Sequence, residues 1–194
     1  VTLIRSLRLD PMPVVVTARV EMRPPTMGDF EDWAALRADS RDFLTPWEPI
    51  WPADDLTRSA YRQRLRRYGR EVREDIGYTF FLFGRGDGGL LGGISLTNVR
   101  RGVTQSCSLG YWMGRRHAGR GLMSEAVKGV VVHVFETMRL HRIEAACLPS
   151  NEASKHVLHK VGFSDEGLAR QYLRINGQWR DHLLFAMLAT DPRP

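Results

Sequence analysis

Apolar and polar residues alternate over residues 17–23, the two-residue period of a half-buried strand. Thr26, ahead of Asp29, Glu31 and Asp32, reads as the capped start of a helix that runs to about Ala38. Apolar runs at 78–83 and 90–99 predict two strands, and 105–113 and 142–148 two more. Between the latter pair, apolar residues recur four apart at Leu122, Ala126, Val130 and Val134. That spacing marks the buried stripe of a long helix over about 121–138. Residues 151–161 form a further helix, with Asn151 as N-cap and Gly162 where a helix stops. Asn176-Gly177 joins strands at 172–175 and 178–187 as a hairpin turn. Strands alternate with helices only in part, and hairpins occur at both ends. The pattern therefore predicts an α/β fold with a mixed sheet and helices on its faces.

Three segments break the pattern. FLTPWEPIWP, residues 43–52, holds three prolines and two tryptophans; it reads as a stiff aromatic loop of the sort that contacts ligands. Residues 55–75 read as a helix bearing Arg58, Arg62, Arg64, Arg66, Arg67, Arg70 and Arg73, with Leu56, Ala60, Leu65 and Val72 to dock it. Its arginines fit either a solvated face or an RNA- or phosphate-facing one. The run Gly84-Arg85-Gly86-Asp87-Gly88-Gly89 spells a dinucleotide fingerprint, but a strand follows where a phosphate-binding helix is required, so it is a hairpin turn.

Composition narrows the class. With 194 residues and 43% hydrophobic ones, the chain suits one globular domain and is too apolar to be mainly disordered. No apolar run approaches the roughly 20 residues of a membrane span. The expectation is a single domain over 14–190, with 1–13 a poorly ordered extension. The chain opens on Val1, with Met12 an alternative start, and Val14 to Val16 is too short for a signal-peptide core, so a cytoplasmic protein is expected. Cys107 and Cys147 read as buried free thiols, and the histidines have no metal spacing with each other or with cysteine, so no metal is expected. The net charge is +6, and 25 of the 28 basic residues are arginine, compatible with an anionic partner without demanding one.

The segment 109–125, LGYWMGRRHAGRGLMSE, carries the most chemistry. A strand runs into a basic, glycine-bearing turn that opens the long helix. Gly119 and Gly121 let a ligand approach the backbone, the first-turn amides favour an anion, and Arg115, Arg116 and Arg120 add charge. Two readings fit: a pyrophosphate cradle, or a tight strand-to-helix joint that merely needs glycine.

Arg116-His117-Ala118-Gly119-Arg120-Gly121 fits the [Q/R]-x-x-G-x-[G/A] motif of the GNAT superfamily of N-acetyltransferases, and Asn151-x-x-Ser154 followed by Val157-Leu158 and Gly162-Phe163 resembles that superfamily's later helix. Phe43-Leu44-x-Pro46-Trp47-Glu48-Pro49, Asn98-Val99-x-Arg101-Gly102, Gly121-Leu122-Met123, His141-Arg142-Ile143 and the run from Gly177 to His182 look like the RimJ-type ribosomal-protein alanine N-acetyltransferases. The resemblance covers roughly 17–188. It implies a mixed, mostly antiparallel sheet in which two parallel strands splay to admit acetyl-CoA. Its pantetheine arm would pair with the backbone of Tyr111, Trp112 and Met113, and its pyrophosphate would sit on the amides of Arg116, His117, Ala118, Gly119, Arg120, Gly121 and Leu122. An N–H near residues 109–111 would hydrogen-bond the thioester oxygen. Ser154 occupies the place of a hydroxyl that protonates the leaving thiolate, against an ordinary position in a capped helix. Asn151 would bind the cofactor arm or serve only as N-cap. Glu48 is the candidate base, against a plain surface carboxylate. RimL-type relatives place a glutamate base on the strand after the Ser154 helix; here Leu173 stands there, beside Tyr172.

The implied reaction is direct acetyl transfer to the N-terminal alanine of a small-subunit ribosomal protein, with Trp47 and Trp51 as groove walls, Asp54 and Asp55 suiting a basic tail, and RNA contact through the arginine-rich helix. An α-amino group, with a pKa of about 7.7–8.0, asks less of a base than lysine at about 10.4. The alternatives are an acetyltransferase for a small amine, such as a polyamine or antibiotic, and a ribosome-assembly factor that binds RNA.

Overall fold

The computed structural model describes residues 14–192; the expectation for 1–13 lies outside the described residues. Eight strands form one sheet in the order β1-β2-β3-β4-β5-β6-β8-β7. They are β1 (Val15–Val16), β2 (Val20–Arg23), β3 (Tyr78–Gly84), β4 (Leu90–Arg100), β5 (Ser106–Met113), β6 (Arg142–Cys147), β7 (Ser164–Ile175) and β8 (Gln178–Leu188). Of the neighbouring pairs, β5 and β6 alone run parallel. A parallel pair needs a crossover, and it is supplied by α4 (Leu122–Val132).

Helices cover both faces, and the alternation of β3 shows how. Phe80 and Leu82 point into the larger core, beneath α4 and α5 (Glu152–Val161), with Ala126, Val130, Leu158 and Phe185. Phe81 and Phe83 point the other way, against Phe30, Trp33 and Leu36 of α1 (Phe30–Asp39) and Tyr61 of α3 (Arg58–Arg73). The mostly antiparallel mixed sheet agrees with expectation.

Several elements differ from the sequence reading. The strand expected over 17–23 is broken by a tight turn, because the Thr17 N–H donates to the Val20 carbonyl (2.9 Å) and the Thr17 hydroxyl accepts from the Val20 N–H (3.1 Å). The aromatic loop begins helically, with α2 (Arg41–Leu44) and a 3-10 turn at Thr45–Trp47 that tolerates Pro46 near its start. Helix α3 starts at Arg58, capped by Thr57, whose hydroxyl accepts from the Ala60 N–H. Its most buried residue is Tyr61, where the apolar count pointed to its neighbour Ala60. The long helix widens into a π-helical turn at His133–Thr137. Strand β7 begins eight residues early, because Ser164 onward is an exposed polar edge that only its pairing with β8 reveals.

Candidate active site

Strand β5 stays paired with β4 as far as Met113, opposite Gly92, but its parallel pairing with β6 ends at Leu109 opposite Ala145. Over Gly110 to Met113 the β6-facing edge of β5 therefore has no ladder partner. Backbone groups at such a wedge require another hydrogen-bonding partner, and an extended ligand arm supplies one. Tyr111 lies at this wedge, and its hydroxyl is 2.8 Å from Ser154 Oγ. Burial raises the phenol's pKa, so it stays protonated at ordinary pH. Asn151 Oδ1 accepts the Ser154 N–H at 3.0 Å, so Asn151 caps α5 and fixes Ser154 at once. Cys147 ends β6 beside them; burial raises its thiol pKa, against a hydrogen bond with Ser154. Cys107 is pushed up by burial to about 12, so neither thiol is a ready nucleophile. The ring of Trp112 turns to the opposite face, against the aromatic cluster.

Strand β5 leads into Gly114, where a Cβ would strike Leu36, and then into a 3-10 turn at Arg115–His117. Gly119 and Gly121 both have φ of +74°, the left-handed region that favours glycine. A Cβ at Gly119 would meet nothing within 4 Å, so this backbone is open to a ligand. Gly121 is the N-cap of α4 and offers no side chain, which leaves the first-turn amides without a side-chain cap. Arg115, Arg116 and Arg120 are exposed around them. Arg116 Nε donates to His117 Nε2 at 3.0 Å, and burial, then Arg116 and Arg120, lower the His117 pKa. The result is a neutral imidazole within a cationic turn whose amides lack a side-chain cap. Its fit to a pyrophosphate rests on these uncapped amides. Glu125, one turn into α4, binds Thr17 Oγ1 (2.7 Å) and Arg19 Nε (2.6 Å), which ties the β1–β2 turn to this end of the helix.

Beyond the end of β6 lies a cavity of about 280 Å³, lined among others by Trp47, Leu148, Ser150, Gln178 and Arg180. The aromatic loop crosses it: Asn176 N–H donates to the Glu48 carbonyl at 2.9 Å, and a Cβ on Gly177 would touch Ile50. Trp47 lines this cavity. Trp51 is not among the lining residues; it stacks on Arg37 (3.9 Å) and donates its indole N–H to Glu48 Oε2 (2.7 Å). Both Glu48 oxygens also accept from Arg37, at 2.8 and 2.7 Å, so this carboxylate is already engaged. Asp55 is buried and ion-paired with Arg64, which takes it out of the groove, and the charge lining this cavity is the cation Arg180.

Among the described residues there is no cluster of three or more potential metal ligands, and no helix long and apolar enough to cross a membrane. A family profile for the acetyltransferase (GNAT) domain matches residues 19–164. The chain belongs to the GNAT acetyltransferase family. Among its relatives is the [Ribosomal protein uS5]-alanine N-acetyltransferase of Escherichia coli (strain K12), 36% identical over 86% of this chain and 87% of that protein. The protein of Bacillus subtilis (strain 168) called "Probable N-acetyltransferase YjcK" is 38% identical over 89% of this chain and 95% of its own. The solved structure of Mycobacterium smegmatis RimJ in complex with CoA-disulfide superposes with a TM-score of 0.84, at 34% identity, covering 92% of this chain and 86% of that one.

Three sequence-predicted site residues meet at the wedge. The structure brings Tyr111, Ser154 and Asn151 together there, with the turn from Arg116 to Leu122 next along the chain. Glu48 lies apart from them, held by Arg37 and Trp51, and its carboxylate is not among the groups that line the cavity. Leu173 is exposed on β7 opposite Arg180 and has no proton-accepting group. The sequence reading passed over Leu148 and Ser150, and met Arg180 and His182 only as members of the run from Gly177 to His182, with no site role. The period-2 run of Gln178, Arg180 and His182 on one face of β8 was the available signal.

Proposed function

We propose that this single domain of residues 14–190 works in the cytoplasm, transferring acetyl from acetyl-CoA to the N-terminal alanine of a small-subunit ribosomal protein. The observation that carries the substrate class is 36% identity, across nearly the whole of both chains, to an enzyme named for that reaction. The wedge and cradle support the chemistry. In this reading Tyr111, Trp112 and Met113 offer their free backbone edge to the pantetheine arm. The amides from Arg116 through His117, Ala118, Gly119, Arg120 and Gly121 to Leu122 hold the pyrophosphate. A β5 amide next to the wedge stabilises charge on the thioester oxygen. Ser154, with Tyr111 behind it, supplies a proton to the departing thiolate. The amine attacks directly, and an α-amine is partly neutral near pH 7 without help. The arginine face of α3 is assigned to RNA near the substrate.

Release of CoA thiol from acetyl-CoA tests this reading with three acceptors: a peptide beginning with Ala, the same peptide already N-acetylated, and spermidine. The expected result is thiol release with the free peptide alone, with one acetyl gained at its amine. Release with spermidine alone would replace the protein substrate by a small amine.

A further inference from the structure

The reaction needs a group to take the amine's proton, and neither Leu173 nor the engaged Glu48 provides one. His182 lies on β8; the register shifts of the β7–β8 ladder put the extra residues on β7, between Ala169 and Leu173 opposite His182 and Arg180, so Gln178, Arg180 and His182 keep their alternation on β8 and share a face. The first two line the acceptor cavity. Cys147 faces Leu183 across the β6–β8 ladder, and continuing that register by one residue sets His182 against Leu148, a third lining residue. His182 is only 3% exposed. Its Nδ1 is 3.0 Å from the Arg180 carbonyl, which can only accept, so Nδ1 carries the hydrogen and Nε2 holds the lone pair. Nε2 has no hydrogen-bond partner among the described residues. Tyr172 packs edge-on against the ring from β7, with centroids 5.8 Å apart.

Resting on the acetyl-transfer reading above, we propose that His182 Nε2 is the proton acceptor for the attacking amine, directly or through one water. As the amine nitrogen forms its bond to the acetyl carbon, its proton passes to Nε2. The C–S bond then breaks, CoA leaves as thiolate, and the thiolate takes a proton from Ser154, which regains one from solvent as the imidazolium releases the amine's proton to solvent. The Nδ1–H bond to Arg180 fixes the tautomer and orients the ring, the task that a buried carboxylate performs in other histidine-based sites. Burial, joined by the Arg180 charge, lowers the imidazole pKa below 6.5 and keeps it neutral, against the Arg180 carbonyl bond and Asp181. These charged neighbours all belong to β8; β7 adds the Tyr172 ring, and Leu148, on the β6 side, is not ionisable.

Two substitutions separate proton transfer from structure. His182→Asn keeps a donor at the Nδ1 position, and so the Arg180 bond, but removes Nε2. His182→Gln keeps a polar atom near Nε2 without basicity. Both are expected to lower kcat about 100-fold or more, with KM and Kd for acetyl-CoA unchanged. The wild-type kcat at saturating peptide is expected to fall below pH 6.5 as the imidazole protonates, and this limb is expected to vanish in both variants, while the fall of kcat/KM set by the amine's own protonation stays. Unchanged acetyl-CoA binding certifies their fold. Wild-type kcat and acid limb in either folded variant would overturn the proposal. If the wild-type enzyme releases no thiol with any amine, the acetyl-transfer reading fails first, and separately.

Discussion

At Glu48 the carboxylate does three jobs at once: it takes both Arg37 Nη groups and the Trp51 indole N–H. Arg37 is a buried cation between two indoles, 3.9 Å from Trp51 and 5.0 Å from Trp112. Its Nε is buried without a partner. Removing the carboxylate would leave that charge uncompensated in a poorly hydrated place, which is the expensive way to break a buried pair. We therefore expect Glu48→Ala to lower stability by roughly 2–3 kcal/mol, read by urea unfolding, since the pair is only partly buried. Peptide acetylation by the fraction that remains folded should fall far less than in the His182 variants. A folded Glu48→Ala protein of unchanged stability and collapsed kcat would instead return the base to Glu48. The ordinary sequence signal, an acidic residue in an aromatic loop, could not separate these roles, because the partner Arg37 sits eleven residues away on α1.

At the level of elements, the site is the product of a strand that loses one partner and a helix that begins without a cap. The second depends on backbone conformation at Gly119 and Gly121. Valine at these two positions adds a β-branched side chain where φ is positive, costing about 1–2 kcal/mol each, and fills the open concavity above the amides. The double variant is expected to lose CoA binding in calorimetry while still melting cooperatively at a lower temperature; normal CoA affinity would displace the cradle from this turn. This element was legible in the sequence because glycine, arginine and the helix stripe all fall within residues 115–134. The cysteines and the β7–β8 turn were legible for the same local reason. The cavity beyond β6 was not: it is assembled from residues 46–47, 148–150 and 175–180, and no periodicity within one segment announces a meeting of three. The exposed first half of β7 escaped as well, since an edge strand with water on its flanks has no apolar alternation to show.

Over the whole molecule, charge is better organised than the net figure of +6 suggests. Much of the arginine surplus is consumed internally. Arg23 holds Asp29, Arg101 holds Asp75, and Arg142 is shared by Glu144 and Glu166. On α3, Arg58, Arg64 and Arg67 are likewise paired, with Glu31, Asp55 and Glu71. Arg62, Arg66, Arg70 and Arg73 remain exposed and form no ion pair among the described residues. Their spacing of four, four and three places them along one stripe of the helix, on the side that does not contribute Tyr61 to the core. A solvated helix scatters its free charges; a single-sign stripe of four repels itself and is relieved by a phosphate backbone. Single-stranded RNA is therefore expected to bind with a log K against log salt slope of about −3 if all four engage phosphates. Replacing all four by glutamine should flatten that slope toward zero, while acetylation of a free Ala peptide, whose groove lies elsewhere, keeps its rate. A slope that survives the quadruple replacement would move the RNA contact to another surface, and a slope near zero in the wild type would leave α3 a solvated face.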